Sequence, residues 1–282
     1  MATPHAFFLY RGPEGQRLCV HHAAEGIPRG RLLLLHAFGE EMNKSRHMLA
    51  QLARQAAQAG LEVLQIDLKG CGDSSGDFGD ASWQDWLDDA RIAQDWLLTR
   101  GDLAVDAPLW LMGHRAGALL AAALARQAGP PCRLLLWHPL ASGKLQLQQF
   151  LRLRLGADLV GGQAKGAMQA LREQLAAGQA VEVAGYALSP AMVRGLEAAD
   201  LKPAAAAAAR VRQLVWLELG SADASLSPAA QLQLQPWQAA GVPTQAQALE
   251  GPAFWATSEI SSAPALLQAS LAALSAPQEL PA

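Results

Sequence analysis

Short apolar runs recur along the chain and alternate with longer stretches in which apolar residues fall three or four apart. That alternation is expected when parallel strands are covered by helices on both faces, and it predicts an α/β fold. Strands are predicted at residues 18–21, 31–36, 61–67, 108–112, 133–137, 214–219 and 244–249, several of them apolar throughout as buried central strands are. A helix is predicted over 45–59, ended by Gly60, and another over 82–99 with Ser82 as its N-cap. Trp83, Trp86, Ile92 and Trp96 fall on one face of the second helix. Such a stripe can stack on a ligand, but at helical spacing it reads as core packing. From about residue 141 the alternation gives way to a Gln/Leu/Ala-rich stretch, read as a helical cap inserted at 141–205 between core segments 1–140 and 206–282. Within it "QQFLRLRLGADLV" mixes basic and aliphatic residues; it reads as a solvated cap face, and membrane association is not expected. The run "PAAAAAAR", 203–210, is a helix-permissive connector back to the core.

Composition narrows the setting. A chain of 282 residues that is 51% apolar can bury a substantial core, and 17% charged residues with a net charge of -3 indicate neither disorder nor attraction to nucleic acid. Cys19, Cys71 and Cys132 match no metal-ligand or disulfide spacing. With no basic leader and no apolar run long enough to span a bilayer, the expectation is a soluble, cytoplasmic protein without metal or cofactor. "GCGDSSG" has neither the G-x-G-x-x-G spacing nor the G-K-[ST] ending of a phosphate-binding loop.

The chemistry centres on "LMGHRAG", residues 111–117, which has the strand, tight turn and helix form of the G-x-S-x-G nucleophile elbow with Arg115 at the serine position. Other landmarks fall in the matching order. "LLLLHAFGEE" lies where a post-strand loop supplies an oxyanion donor, "QIDLKGCGDSSGDF" follows the next strand, and "LVWLELGSADASLSP" matches the turn of the triad acid, which nominates Asp223. Together these resemble the α/β-hydrolase superfamily: a mostly parallel central sheet with helices on both faces and an inserted helical cap. Yet arginine has no lone pair to attack with and stays protonated. The imidazole should follow the acid, but all seven histidines (His5, His21, His22, His36, His47, His114 and His138) precede Asp223. A Ser-His-Asp mechanism is therefore not expected.

Three readings of Arg115 follow. It can form an internal tie to a carboxylate, with Asp223, Glu40 and Glu41 as candidates. It can bind the carboxylate or phosphate of a ligand, assisted by Lys44 or Arg46, since a guanidinium fork suits such oxyanions. The remaining ligand-site candidates are His36, Phe38 and His114 beside the elbow, and Phe254 and Trp255 in "GPAFW" where the histidine would stand. Those two aromatics either plug the vacated space or stack on a sugar face. Alternatively catalysis has moved: Cys71 or Ser74 as nucleophile with His36 or His114 as base, or Glu40 and Glu41 as an acid–base pair. Against that stand plain roles: His36 and His114 as hydrogen-bonded strand-end residues, Asp67 and Asp73 as braces of the adjacent turn, Cys71 as a buried thiol.

The motifs "HAFGEEMNKSR", "LQIDLKGCGDSSGDF", "GHRAGALL", "LQQFLRLRL", "VEVAGYALSP" and "GPAFW" resemble, from roughly Pro4 to Ala272, the exosortase A system-associated hydrolase 2 family. That resemblance implies a degenerate elbow with Arg for Ser and a setting in bacterial exopolysaccharide and PEP-CTERM protein sorting. It further implies an accessory binding or scaffolding role, with an anionic small molecule, a glycan precursor or a protein of that system as partner. The rival implication is a hydrolase or acyltransferase acting on an ester, thioester or glycan through a non-standard site.

Overall fold

The computed structural model describes residues 3–104, 106–159, 166–204, 209–223 and 225–276, without side chains for 155–159. Eight strands form one sheet: β1 (His5–Tyr10), β2 (Gln16–His22), β3 (Gly30–Leu35), β4 (Leu61–Ile66), β5 (Leu109–His114), β6 (Cys132–Trp137), β9 (Val211–Gly220) and β10 (Thr244–Glu250). Their order is β1-β2-β4-β3-β5-β6-β9-β10, with β2 antiparallel to both its neighbours and the strands from β4 to β10 parallel. This is the α/β-hydrolase fold. The fully apolar runs lie where burial on both faces demands them, and β3 and β5 are buried along their whole length.

Helices α1 (Glu40–Gln58) and α8 (Pro264–Ser275) cover one face; α2 (Trp83–Leu98), α3 (Ala116–Arg126) and α7 (Pro228–Ala239) cover the other. Because β3 leads through α1 to β4 on one side, whereas β5 leads through α3 to β6 on the other, the strand order reverses between β3 and β5. The crevice at their carboxyl ends is where such sheets place ligands. Ser82 caps α2 with a reciprocal capping box, and Trp83 and Trp86 are buried in the core. Trp86 also donates its indole N–H to the Lys69 carbonyl at 3.0 Å.

Three elements differ from the sequence expectation. Helix α1 begins five residues earlier than predicted, at Glu40, because its polar first turn is anchored by acidic residues at the helix N-terminus rather than by apolar spacing. Strand β1 is not among the predicted elements; as an edge strand it leaves Phe8 and Tyr10 exposed and so lacks the signature of a buried run. The cap is not wholly helical: between α4 (Gly143–Leu159), α5 (Ala167–Ala176) and α6 (Pro190–Ala198) stands a hairpin, β7 (Val181–Val183) and β8 (Tyr186–Leu188). Ala184 and Gly185 both take positive φ there, 50° and 83°, the requirement of a two-residue hairpin turn. The cap's ends meet where Ser142 bridges Asp200 and the Gly143 N–H donates to the Ala199 carbonyl at 2.9 Å. The alanine-rich connector falls partly outside the described residues, at 205–208. No helix among the described residues is long and apolar enough to cross a membrane.

Candidate functional site

The elbow is built by close approach. A β-carbon on Gly117 would lie 2.3 Å from the Leu35 carbonyl oxygen, and one on Gly113 would lie 2.4 Å from the Ala118 α-carbon, so only glycine lets α3 descend onto β3 and β5. Arg115 pays for that tightness with φ 54° and ψ -116°, a conformation that costs a non-glycine residue about 1–3 kcal/mol. Its own N–H donates to the Trp137 carbonyl at 3.0 Å, which pins the turn to the end of β6.

Arg115 is 8% exposed, and its side chain is held by three bonds. Its Nε and Nη2 donate to Glu41 Oε1 at 3.2 and 2.9 Å, and Nη2 donates to Gln149 Oε1 at 3.0 Å. Its guanidinium carbon lies 5.2 Å from the Trp255 ring centroid. The first turn of α1, the elbow and cap helix α4 thus meet at one cation. Nη1 has no protein partner among the described residues.

The other carboxylates nominated for Arg115 lie elsewhere. Asp223 is exposed in the loop after β9 and has no hydrogen bond or ion pair among the described residues. Glu40 accepts from Asn43 at 2.9 Å and from the Tyr186 hydroxyl at 3.0 Å, tying α1 to the cap hairpin. The cations proposed to assist are also apart: Arg46 pairs with Asp67 at 3.0 Å, and Lys44 has no partner among the described residues.

His114 is fully buried and neither ring nitrogen has a hydrogen-bond partner, so it is not the hydrogen-bonded strand-end residue that was expected. Phe254 stacks on it at 5.2 Å between centroids and Trp255 meets it edge-on at 5.3 Å, sealing the loop after β10 with aromatic surface. Burial, reinforced by the adjacent Arg115 charge, holds the His114 pKa well below the ordinary imidazole value. His36 uses both ring nitrogens: Nδ1 bonds the Ala37 carbonyl at 2.8 Å, which fixes Nε2 as acceptor of the Leu68 N–H at 3.3 Å. Its pKa too is lowered, chiefly by burial. Phe38 packs among Phe78, Trp86 and Phe150.

Ser74 accepts from the Leu18 N–H at 2.9 Å and donates to the Asp67 carbonyl, while burial pushes the Cys71 thiol far up. Both are committed to the turn after β4, and neither is hydrogen-bonded to a histidine. Asp67 accepts from the Asp73 N–H at 3.3 Å across the same turn.

Beside Arg115 opens a cavity of about 190 Å³, between the ends of β6 and β9, cap helix α4 and α7. Its polar walls bring in residues absent from the sequence-derived set: His138, Gln149, Glu218, Ser227 and Gln233, with Trp216 at the base. Glu218 was readable as the one carboxylate interrupting the apolar run "LVWLEL"; Gln149 lies in a glutamine-rich helix that singles out no position. Glu218 accepts from the Ser227 N–H at 2.9 Å and its hydroxyl at 3.0 Å, anchoring the residue that caps α7. His138, with φ 42°, accepts the Leu219 N–H on Nδ1 at 3.2 Å, so its proton sits on Nε2. Burial, then the Arg115 charge, lowers its pKa to about 4 against the opposing pull of Glu218, and the ring stays neutral at physiological pH. Among the described residues no cluster of metal-ligating side chains occurs.

The sequence profile of the serine aminopeptidase S33 family matches residues 26–234. No curated protein sequence matches the chain. Among solved structures, a thermostable carboxyl esterase from Bacillus coagulans in complex with glycerol is similar at a TM-score of 0.57 and 16% identity, over 88% of this chain and 90% of that one. Est1E from Butyrivibrio proteoclasticus, with ferulic acid bound, is similar at a TM-score of 0.59 and 15% identity over 96% of both chains. The α/β hydrolase GrgF from Penicillium sp. sh18 is similar at 0.59 and 14% identity over 97% of this chain and 98% of that one. At these identities the likeness concerns the fold.

Proposed function

The chain belongs to the serine aminopeptidase S33 family, and from that premise we propose that it is a binding member, using the cavity beside Arg115 to hold a small hydroxyl-rich ligand of sugar type. The observation that carries this reading is the bond set from Arg115 to Glu41 and Gln149, which fixes a guanidinium where a hydrolase of this fold presents its nucleophile. A guanidinium can neither attack a carbonyl nor accept a proton. His138 offers a donor rather than a base, because its acceptor nitrogen is spent on the Leu219 N–H.

The cavity's chemistry favours hydroxyls over a simple anion. Glu41 already faces the Arg115 charge, and Glu218 adds a second carboxylate, so formal negative charge exceeds positive. What remains free is mixed: Arg115 Nη1, His138 Nε2–H and the Gln149 amide group as donors, and Glu218 as acceptor. Hydroxyl groups, which both donate and accept, satisfy such a set, and Trp216 supplies apolar surface. This agrees with the resemblance to the exosortase A system-associated family, and we place the protein as an accessory of exopolysaccharide assembly that holds a glycan unit.

The test is saturation-transfer NMR with neutral hexoses, N-acetylhexosamines and hexuronates on the wild type, Gln149→Leu and Glu218→Gln, beside a screen of chromogenic esters and thioesters. Transfer to a sugar that is lost in both variants, with no ester turnover, is the expected result. Turnover that survives stringent purification, or sugar signals unchanged in both variants, overturns it.

A further inference from the structure

A second cavity, about 270 Å³, lies away from the elbow, between α1 and the β2–β4 part of the sheet. At roughly 30 Å³ per water it has room for about nine waters, a volume suited to a small organic molecule. Leu18 and Val20 of β2, only half-buried, face it together with Leu34, Leu49 and Ile66, and the small Ala50 of α1 leaves the gap open above them.

The polar groups of this cavity are grouped at two ends, and they differ in how far they are committed. At one end Arg46 is paired with Asp67 at 3.0 Å, and His36 has both ring nitrogens engaged. At the other, His22 lies 3.1 Å from Gln65 Nε2, and Arg54 has no hydrogen-bond or ion-pair partner among the described residues. Arg54 is therefore the uncommitted charge on the rim. Burial first, and the nearby Arg54 charge second, lower the His22 pKa to about 4, so the imidazole stays neutral beside it.

We propose that this cavity binds a short-chain aliphatic monocarboxylate, its tail lying on Leu18, Val20, Leu34, Leu49 and Ile66 and its carboxylate meeting Arg54 beside His22. One free guanidinium matches one carboxylate by a bidentate pair, whereas a phosphate dianion needs more positive charge than Arg54 alone provides. The apolar walls set the second requirement, since an anion without a tail leaves them wet. The site is independent of the cavity beside Arg115, with which it shares no lining residue.

The experiment is calorimetric titration with hexanoate, with acetate and hexanol as probes of tail and charge, while the His22 imidazole signals are followed by NMR. Arg54→Gln removes an exposed charge that has no partner among the described residues, and Ala50→Phe fills the space from α1; each is checked for an unchanged fold by circular dichroism. Expected are hexanoate binding that shifts His22, weakening of about tenfold or more for acetate, for hexanol and in Arg54→Gln, and loss in Ala50→Phe. Gln149→Leu leaves binding unchanged, which separates this site from the sugar reading. No hexanoate binding to the wild type, or equal affinity in Arg54→Gln and Ala50→Phe, overturns the proposal.

Discussion

Arg115 Nη2 lies 2.9 Å from Glu41 Oε1, joining the strained residue at the end of β5 to the first turn of the helix that follows β3. With side-chain exposures of 9% and 23%, the pair is neither a surface bridge nor a sealed one. Removing one partner strands a charge in a low-dielectric site, so Glu41→Gln is expected to destabilise by about 1–3 kcal/mol, below the range for fully buried pairs because the Glu41 side chain as a whole is 23% exposed. Replacing both, Arg115→Met with Glu41→Leu, recovers most of that loss. Urea denaturation of Arg115→Met, Glu41→Leu and their double reads the coupling directly; singles that cost nothing would leave the tie without structural weight.

Restoring an oxygen nucleophile does not restore a hydrolase. Arg115→Ser places a hydroxyl in the elbow, but no imidazole stands ready to take its proton: His138 spends its acceptor nitrogen on Leu219, and His114 is sealed among aromatic rings. Turnover of p-nitrophenyl acetate by Arg115→Ser is expected to remain at the rate of the unmodified protein. A clear burst or sustained turnover would show a base within reach.

The core strands were legible because burial on both faces forces unbroken apolar runs, as in "RLLLL", and the elbow because close packing forces glycine at 113 and 117. The edge strand and the cap hairpin were less so, since neither is buried on both sides and the hairpin's signal is one Ala-Gly turn. At the site, sequence offered Asp223, Glu40 and Glu41 as partners for Arg115 but could not choose among them. The choice depends on Glu40 turning toward Tyr186 and on Asp223 staying in solvent, which are matters of tertiary placement. His138, Gln149 and Glu218 reach one cavity from a strand end, a cap helix and another strand, a convergence that no local spacing encodes.

Gly117→Ala is expected to be among the most damaging single-methyl additions in the protein. The new carbon would meet the Leu35 carbonyl at 2.3 Å and the His36 carbonyl at 2.5 Å, and backbone atoms have no rotamer to escape into. Relief requires α3 to lift off β3, which disrupts the elbow and its packing, at a cost of about 3 kcal/mol or more. Loss of soluble folded protein, or a thermal midpoint lowered by roughly 10 °C, is the expected reading. Ala123→Gly on the same helix, by contrast, costs only about 1 kcal/mol.

Acid sensitivity follows from four imidazoles held below their ordinary pKa: His22 and His138, each at about 4, and His36 and His114, each lowered chiefly by burial. The folded state binds these protons less readily than the unfolded chain, whose histidines titrate near 6.5. No penalty arises above that value. As pH falls from about 6.5 towards 4 the unfolded state takes up protons that the folded state refuses, and each imidazole contributes a slope of up to about 1.4 kcal/mol per pH unit. Urea midpoints measured between pH 7.5 and 4.5 should therefore fall steeply below pH 6.5 and stay flat above it. His114→Phe removes one titrating group while keeping an aromatic ring against Phe254, so its profile should be shallower in the acid range at little change near neutrality. An acid limb as steep as that of the unmodified protein would mean that His114 takes up a proton without unfolding the chain around it.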